Sequence, residues 1–227
     1  MVFLLTNDDG IDAPGLAALA AAVADFGPSV WIAPHEQLSG CGHRVTTVAP
    51  LRIAARGDGR WAIEGTPADC VRLGLHRLAP QATWVLAGVN QGGNLGADVH
   101  HSGTVAAVRE AALHGIPGIA LSQYRKRGQE IDWQRAARWL RPLVRDLLAR
   151  PWTPGTYWNI NLPHLPPDAA APDMVICPLD PSPLPLSYRE ENGFLHYNAN
   201  YHERVRRLGS DVDVCFGGKI AATLLSV

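Results

Sequence analysis

Asn7-Asp8-Asp9-Gly10 sets two carboxylates side by side directly after the apolar run Val2-Phe3-Leu4-Leu5. A strand ending in such a pair delivers it to the carboxyl edge of a sheet, where open α/β sheets bind ligands. Adjacent carboxylates repel, and a bound cation is the natural way to keep both ionised. The same pair could instead shape a turn or cap the next helix. Two other polar clusters occupy the same topological position. Ser39-Gly40 lies in the loop after the second expected strand, and Asn90 directly follows the strand expected over 84–89. Oxygens from Asp8, Asp9, Ser39 and Asn90, completed by water, would form a hard site for one divalent ion, magnesium or manganese. Nitrogen and sulfur donors are too few there for a typical zinc site. Seen singly, Ser39 and Asn90 read equally well as ordinary loop residues.

Ser102-Gly103-Thr104 opens a helix, where unpaired backbone N–H groups and the positive dipole end attract an anion such as phosphate. Ser102 can cap that helix and still donate to phosphate. Gly88, Gly92, Gly93 and Gly96 let the chain bend closely around a bound group. No Gly-Lys-Ser/Thr follows them, so the run is not a Walker loop, nor is it a clean dinucleotide fingerprint. His100 and His101 flank this segment as candidates for protonating a leaving group or orienting substrate, with structural hydrogen bonding the plain alternative. Around Ser39, Arg44 is a candidate phosphate contact and His43 could reach the metal region, while solvated surface roles remain open for both and for His35 and Glu36.

The elements that must position these residues follow from periodicity. Strands are expected over 2–5, 30–33, 84–89, 119–122 and 157–162. Between them lie helical patterns: Leu16, Leu19, Val23 and Phe26; Val71, Leu75 and Leu78 behind Thr66-Pro67; Val105, Val108, Ala112 and Leu113; and Ala136 to Leu147. Alternating βα units predict an α/β fold with a mostly parallel sheet. Residues 45–53 and 61–63, around Arg56-Gly57-Asp58-Gly59, read as a hairpin excursion. Prolines crowd the chain beyond Pro163, so residues 1–163 are expected to form the catalytic core and 164–227 a β-rich extension within one structural domain. Strands over 194–198 and 219–225 are read there as exposed edges that could pair with another subunit, as a homodimer or homotetramer.

The chain has 227 residues, 47% of them hydrophobic, enough for one substantial core. Its net charge is −1, without a basic run, which disfavours a nucleic-acid polymer or an anionic membrane as partner and favours a small ligand. Cys41, Cys70, Cys177 and Cys215 are widely spaced, so a reducing cytoplasm is expected over a disulfide scaffold. The N-terminal apolar run is too short for a signal peptide or membrane span.

Several ordered motifs together resemble the SurE family of survival-protein nucleotidases: Leu4-Leu5-Thr6-Asn7-Asp8-Asp9-Gly10-Ile11, Ala13-Pro14-Gly15, Ala33-Pro34 with Ser39-Gly40, Gly65-Thr66-Pro67-Ala68-Asp69-Cys70-Val71, Gly88-Val89-Asn90 through Asn94-Leu95-Gly96 to Ser102-Gly103-Thr104-Val105-Ala106-Ala107, and Trp158-Asn159-Ile160-Asn161-Leu162-Pro163. The resemblance implies a Rossmann-like three-layer sandwich and metal-dependent hydrolysis of nucleoside 5′- and 3′-monophosphates, with short polyphosphate a further substrate. It implies that Asp8, Asp9, Ser39 and Asn90 ligate one divalent ion per subunit. Asn94 and Ser102, Gly103 and Thr104 would then address the phosphate. His35-Glu36 stand where the family usually has an Asp and a basic residue, and the chain stops soon after Leu225, without the terminal helix common in the family. Alternatives are a phosphatase forming a covalent aspartyl-phosphate, which normally shows Asp-x-Asp spacing, and a non-catalytic nucleotide- or metal-binding oligomer.

Overall fold

The computed structural model describes residues 1–126 and 128–227. Strand β1 (Phe3–Thr6) is buried throughout, with Phe3 and Leu5 in one apolar cluster and Leu4 in another. Burial on both faces is what a central parallel strand requires. Helix α1 (Pro14–Val23) starts on a proline at its first position and leads to β2 (Ser29–Pro34) and the antiparallel pair β3 (Ile53–Ala55) and β4 (Arg60–Ile63). Helix α2 (Pro67–Leu73) opens on a capping box: the Thr66 hydroxyl accepts from the Asp69 amide, and the Asp69 carboxylate accepts from the Thr66 amide. A π-helical turn, Gly74–Leu78, continues it to β5 (Trp84–Gln91).

A 3-10 turn, Gly96–His100, precedes α3 (Gly103–Leu113), which leads to β6 (Gly118–Gln123), α4 (Trp133–Leu148) and β7 (Thr156–Leu162). Beyond it come β8 (Met174–Ile176), the hairpin β9 (Tyr188–Glu191) and β10 (Phe194–Tyr197), helix α5 (Asp211–Phe216) and β11 (Ile220–Ser226). The main sheet runs β3-β4-β2-β1-β5-β6-β7-β11-β8, parallel from β4 to β7. Leu16 and Leu19 of α1 share one core with Leu140 and Leu143 of α4. Val71 of α2 shares the other with Val105 and Val108 of α3. Two helical layers thus sandwich the sheet.

From β1 the chain winds outward to β2 on one side and returns to β5 on the other. Strand order therefore reverses between β1 and β5, and the crevice outside their carboxyl ends is where ligands bind in such sheets. Asp8 and Asp9 follow β1 there, and Asn90 is the next-to-last residue of β5.

Three expectations need correction. Residues 219–225 do not form an exposed edge: β11 lies inside the sheet, antiparallel to β7 and parallel to β8, with Ala221 and Ala222 fully buried. Its apolar residues run consecutively, as in a covered strand. Leu113 does not face the core but is 57% exposed, because five residues from Val108 rotate it off the helical stripe. The first arm of the early hairpin is only Ile53–Ala55, since Thr46 is drawn to Asp69 through both its amide and its hydroxyl, leaving 45–52 as loop. The β9-β10 hairpin does stand exposed along its whole length.

Candidate active site

Asp8 is 4% exposed, and its carboxylate is held by the Thr104 hydroxyl, which donates to Oδ1 at 2.5 Å. Its carbonyl accepts from the Leu38 amide, tying the loop after β2 to the end of β1. Burial pushes the Asp8 carboxyl up to about 6; the Thr104 hydrogen bond opposes this and the Asp9 charge adds to it. Asp9 is more open, and burial raises its pKa too, against the Gln91 amide that donates to Oδ2 at 3.0 Å. The Gln37 side-chain amide bridges Asp9 Oδ1, at 3.4 Å, and the Ser39 hydroxyl, at 2.9 Å. Asp9 is therefore linked to the ends of both β2 and β5, and Asp8 to the start of α3.

Two glycines make this convergence possible. A Cβ on Gly103 would stand 2.9 Å from Asp8 Cβ and 2.8 Å from Cys41 Sγ, and one on Gly15 would stand 2.0 Å from the Val89 carbonyl oxygen. The first turn of α3 and that of α1 thus press on β1 and β5 at distances no side chain permits.

The donor chemistry fits a hard divalent cation. Two carboxylates are crowded and partly desolvated, and among the described residues no Lys, Arg or His forms an ion pair with either. A cation would supply the missing counter-charge. Among the described residues no cluster of three or more His, Cys, Asp or Glu side chains could hold a metal. Such a site would therefore draw on the neutral oxygens of Ser39 and Asn90. Ser39 is exposed, and Asn90 holds its own loop by donating to the Gly92 carbonyl at 2.9 Å.

The other expected residues divide. Ser102 caps α3, accepting from the Val105 amide at 3.0 Å. Gly103 and Thr104 lie against Asp8, and the Thr104 hydroxyl is committed to it. Asn94 is a buried hub: its amide donates to Asn161 Oδ1 at 2.7 Å, its side chain to Ser122 Oγ at 2.8 Å, and its carbonyl accepts from Asn159 and Asn161. His43 turns away from the carboxylate pair to Glu110 Oε2, at 2.7 Å. His100, His101, Arg44 and His35 are exposed; His101 contributes its carbonyl to the Gly42 amide.

Residues to which sequence reasoning gave no site role are Gln37, Ser122 and, though quoted within a family motif, the pair Asn159 and Asn161. The last two alternate on one face of an otherwise apolar strand, a period-two polar signal legible in Trp158-Asn159-Ile160-Asn161-Leu162. A cavity of about 660 Å³ is lined by Thr46, Asp69, Arg72, His76 and His114 among others, and by none of the site residues.

Against known proteins, residues 3–180 match the family model described as Survival protein SurE. The chain is 51% identical over 227 residues to the provisionally named 5′-nucleotidase alr3139 of Nostoc sp. (strain PCC 7120), covering 100% of both chains. It is 44% identical over 167 residues to 5′-nucleotidase SurE of Geobacter sulfurreducens, covering 73% of this chain and 63% of that one. The crystal structure of the SurE protein from Aquifex aeolicus superposes with a TM-score of 0.86 at 29% identity, over 100% of this chain and 93% of that one. With its family match spanning most of the sequence and its fold shared with a solved member, the chain belongs to the SurE family.

Proposed function

We propose that this protein is a divalent-metal-dependent phosphomonoesterase that hydrolyses nucleoside 5′-monophosphates, and also 3′-monophosphates and short polyphosphate, to free phosphate. The observation that carries the reading is the uncompensated Asp8–Asp9 pair at the β1/β5 reversal, facing the N-terminus of α3. Membership of a family whose relatives are named 5′-nucleotidases supports it.

Asp8, Asp9, Ser39 and Asn90 would hold one magnesium or manganese ion, which when bound neutralises phosphate charge and lowers the pKa of a water. The protein's own groups do the rest. Thr104 fixes the Asp8 carboxylate against the first turn of α3. The first turn of α3, with Ser102, Gly103 and Thr104, offers its positive end to the phosphoryl oxygens. Asn94, braced by Ser122, Asn159 and Asn161, sets the depth at which the phosphate rests. Asp9, the more open carboxylate, orients the water for in-line attack on phosphorus.

The exposed hairpin β9-β10 presents Tyr188, Phe194, Leu195 and Tyr197, each more than half exposed, and a lone hairpin is marginally stable. This supports a homodimer or homotetramer in which a second copy covers the arm. The four thiols are free, which suits the cytoplasm. No described helix is long and apolar enough to cross a membrane.

The test is phosphate release from AMP, GMP, 3′-AMP and polyphosphate with and without manganese, together with acid quenching to trap a phosphoenzyme. Metal-dependent release without a phosphoenzyme is expected. A trapped aspartyl-phosphate, or no release from any nucleotide, would overturn the reading.

A further inference from the structure

The loop over residues 35–44 carries Ser39 and has little burial of its own: Glu36, Gln37, Ser39 and Gly40 are exposed, and a Cβ on Gly40 would meet nothing within 4 Å. Its geometry therefore depends on a few ties. One is the Leu38 amide to the Asp8 carbonyl, and another is the Gly42 amide to the His101 carbonyl at 3.0 Å. A further tie is made by a side chain: His43 Nε2 donates to Glu110 Oε2 at 2.7 Å.

Glu110 lies two turns along α3 from Ser102 and is 6% exposed. Its other oxygen, Oε1, is occupied by His114 at 2.9 Å and faced by Arg72 of α2 at 3.6 Å. The carboxylate is thus immobilised from behind while Oε2 is left to grip the loop. The His43 hydrogen bond outweighs the opposing burial and, with His114, holds Glu110 below the ordinary carboxylate range.

We propose that Glu110 is a positioning residue: through His43 it locks the 35–44 loop onto α3, so that Ser39 keeps a fixed relation to Asp8 and Asp9 and to the phosphate-facing turn on the same helix. The inference rests on the active-site reading above. It assigns work to two side chains that touch neither substrate nor cation. Groups that orient ligating residues commonly change metal affinity by about 10- to 100-fold when removed.

The experiment uses the full chain as wild type, His43→Ala, Glu110→Ala and Glu110→Gln. His43→Ala leaves Glu110 paired with His114 and Arg72, so it separates loop docking from the cost of an orphaned partner. Amide exchange over residues 39–43 should speed up by about tenfold in His43→Ala and Glu110→Ala, with β5 unchanged. Manganese binding, read from free Mn²⁺ by electron paramagnetic resonance, should weaken by about tenfold. Turnover should return toward wild type at saturating manganese, and Glu110→Gln, which keeps an acceptor oxygen, should fall between. Unchanged loop exchange and manganese affinity in both alanine variants would overturn the proposal, as would faster exchange spread evenly over the whole chain. Because exchange is read without substrate, a wild type unable to hydrolyse AMP would refute the nucleotidase reading and leave this test intact.

Discussion

Gly103→Ala probes the closest approach in the site. Gly103 has helical backbone, so alanine is allowed there, and reduced freedom of the unfolded chain would favour it by roughly 0.4–1 kcal/mol. The added methyl, however, would stand 2.9 Å from Asp8 Cβ, 3.0 Å from Asp8 Oδ2 and 2.8 Å from Cys41 Sγ. Ordinary contact begins at 3.4 Å, so the Asp8 side chain must yield by about 0.5 Å. It has no slack, being 4% exposed and held by Thr104. Overpacking of this kind costs about 1–3 kcal/mol, which leaves a net destabilisation between about 0 and 2.6 kcal/mol. A misplacement of 1 Å can cost about 100-fold in rate, so half that displacement predicts a loss of roughly tenfold in kcat/KM for AMP. Cys41→Ala added to Gly103→Ala relieves the sulfur contact but not the carboxylate contact, so melting temperature should recover more than activity. Thermal melting and phosphate release measured on both variants check this. Wild-type kcat/KM in Gly103→Ala would refute the claim that the start of α3 fixes Asp8.

The cation site predicts ligand-linked stability: magnesium or manganese at about 100 times its Kd should raise the unfolding free energy by about 2.7 kcal/mol, and Asp8→Asn or Asp9→Asn should remove the effect in a denaturant titration. Asp180 lies 3% exposed, where burial alone would raise its pKa, yet the Ser210 hydroxyl and the Ser182 and Arg207 amides hold it down at about 2. A depressed carboxylate stabilises above its unfolded pKa of 3.8, and that contribution, about 2 kcal/mol, is lost as pH falls from near 4 toward 2. Asp180→Asn should flatten this part of the urea-denaturation profile. Replacing the β9-β10 arm by a short glycine-serine turn should lower the oligomeric state seen by solution scattering while leaving the metal-linked stabilisation in place.

The core was legible, and most residues of the candidate site could be nominated, because both readings rest on local signals. Apolar runs such as Phe3-Leu4-Leu5 mark covered strands. Polar residues at their carboxyl ends mark a site, which is why Asp8, Asp9 and Asn90 could be named without coordinates. Lys219 to Leu225 was misread because a β strand gives no sign in sequence of which neighbours flank it; pairing with β7 and β8 is decided by the whole chain. His43 was read toward the metal because loop direction depends on a partner 67 residues away, Glu110. Thr104 was assigned to phosphate, whereas only the packing of α3 on β1 shows its hydroxyl committed to Asp8. Asn159 and Asn161 did carry a signal, two amides on one face of an apolar strand, whose target, Asn94, lies in the loop after β5.

The most direct measurement is phosphate release from AMP by wild type and by Asp9→Asn, each with manganese and with excess chelator. The proposed site predicts release by the wild type only with manganese, and a loss of at least about 100-fold in Asp9→Asn even when manganese is saturating, the scale expected when a group positioning the reacting water is removed. Equal release with chelator, or full activity in Asp9→Asn, would contradict it.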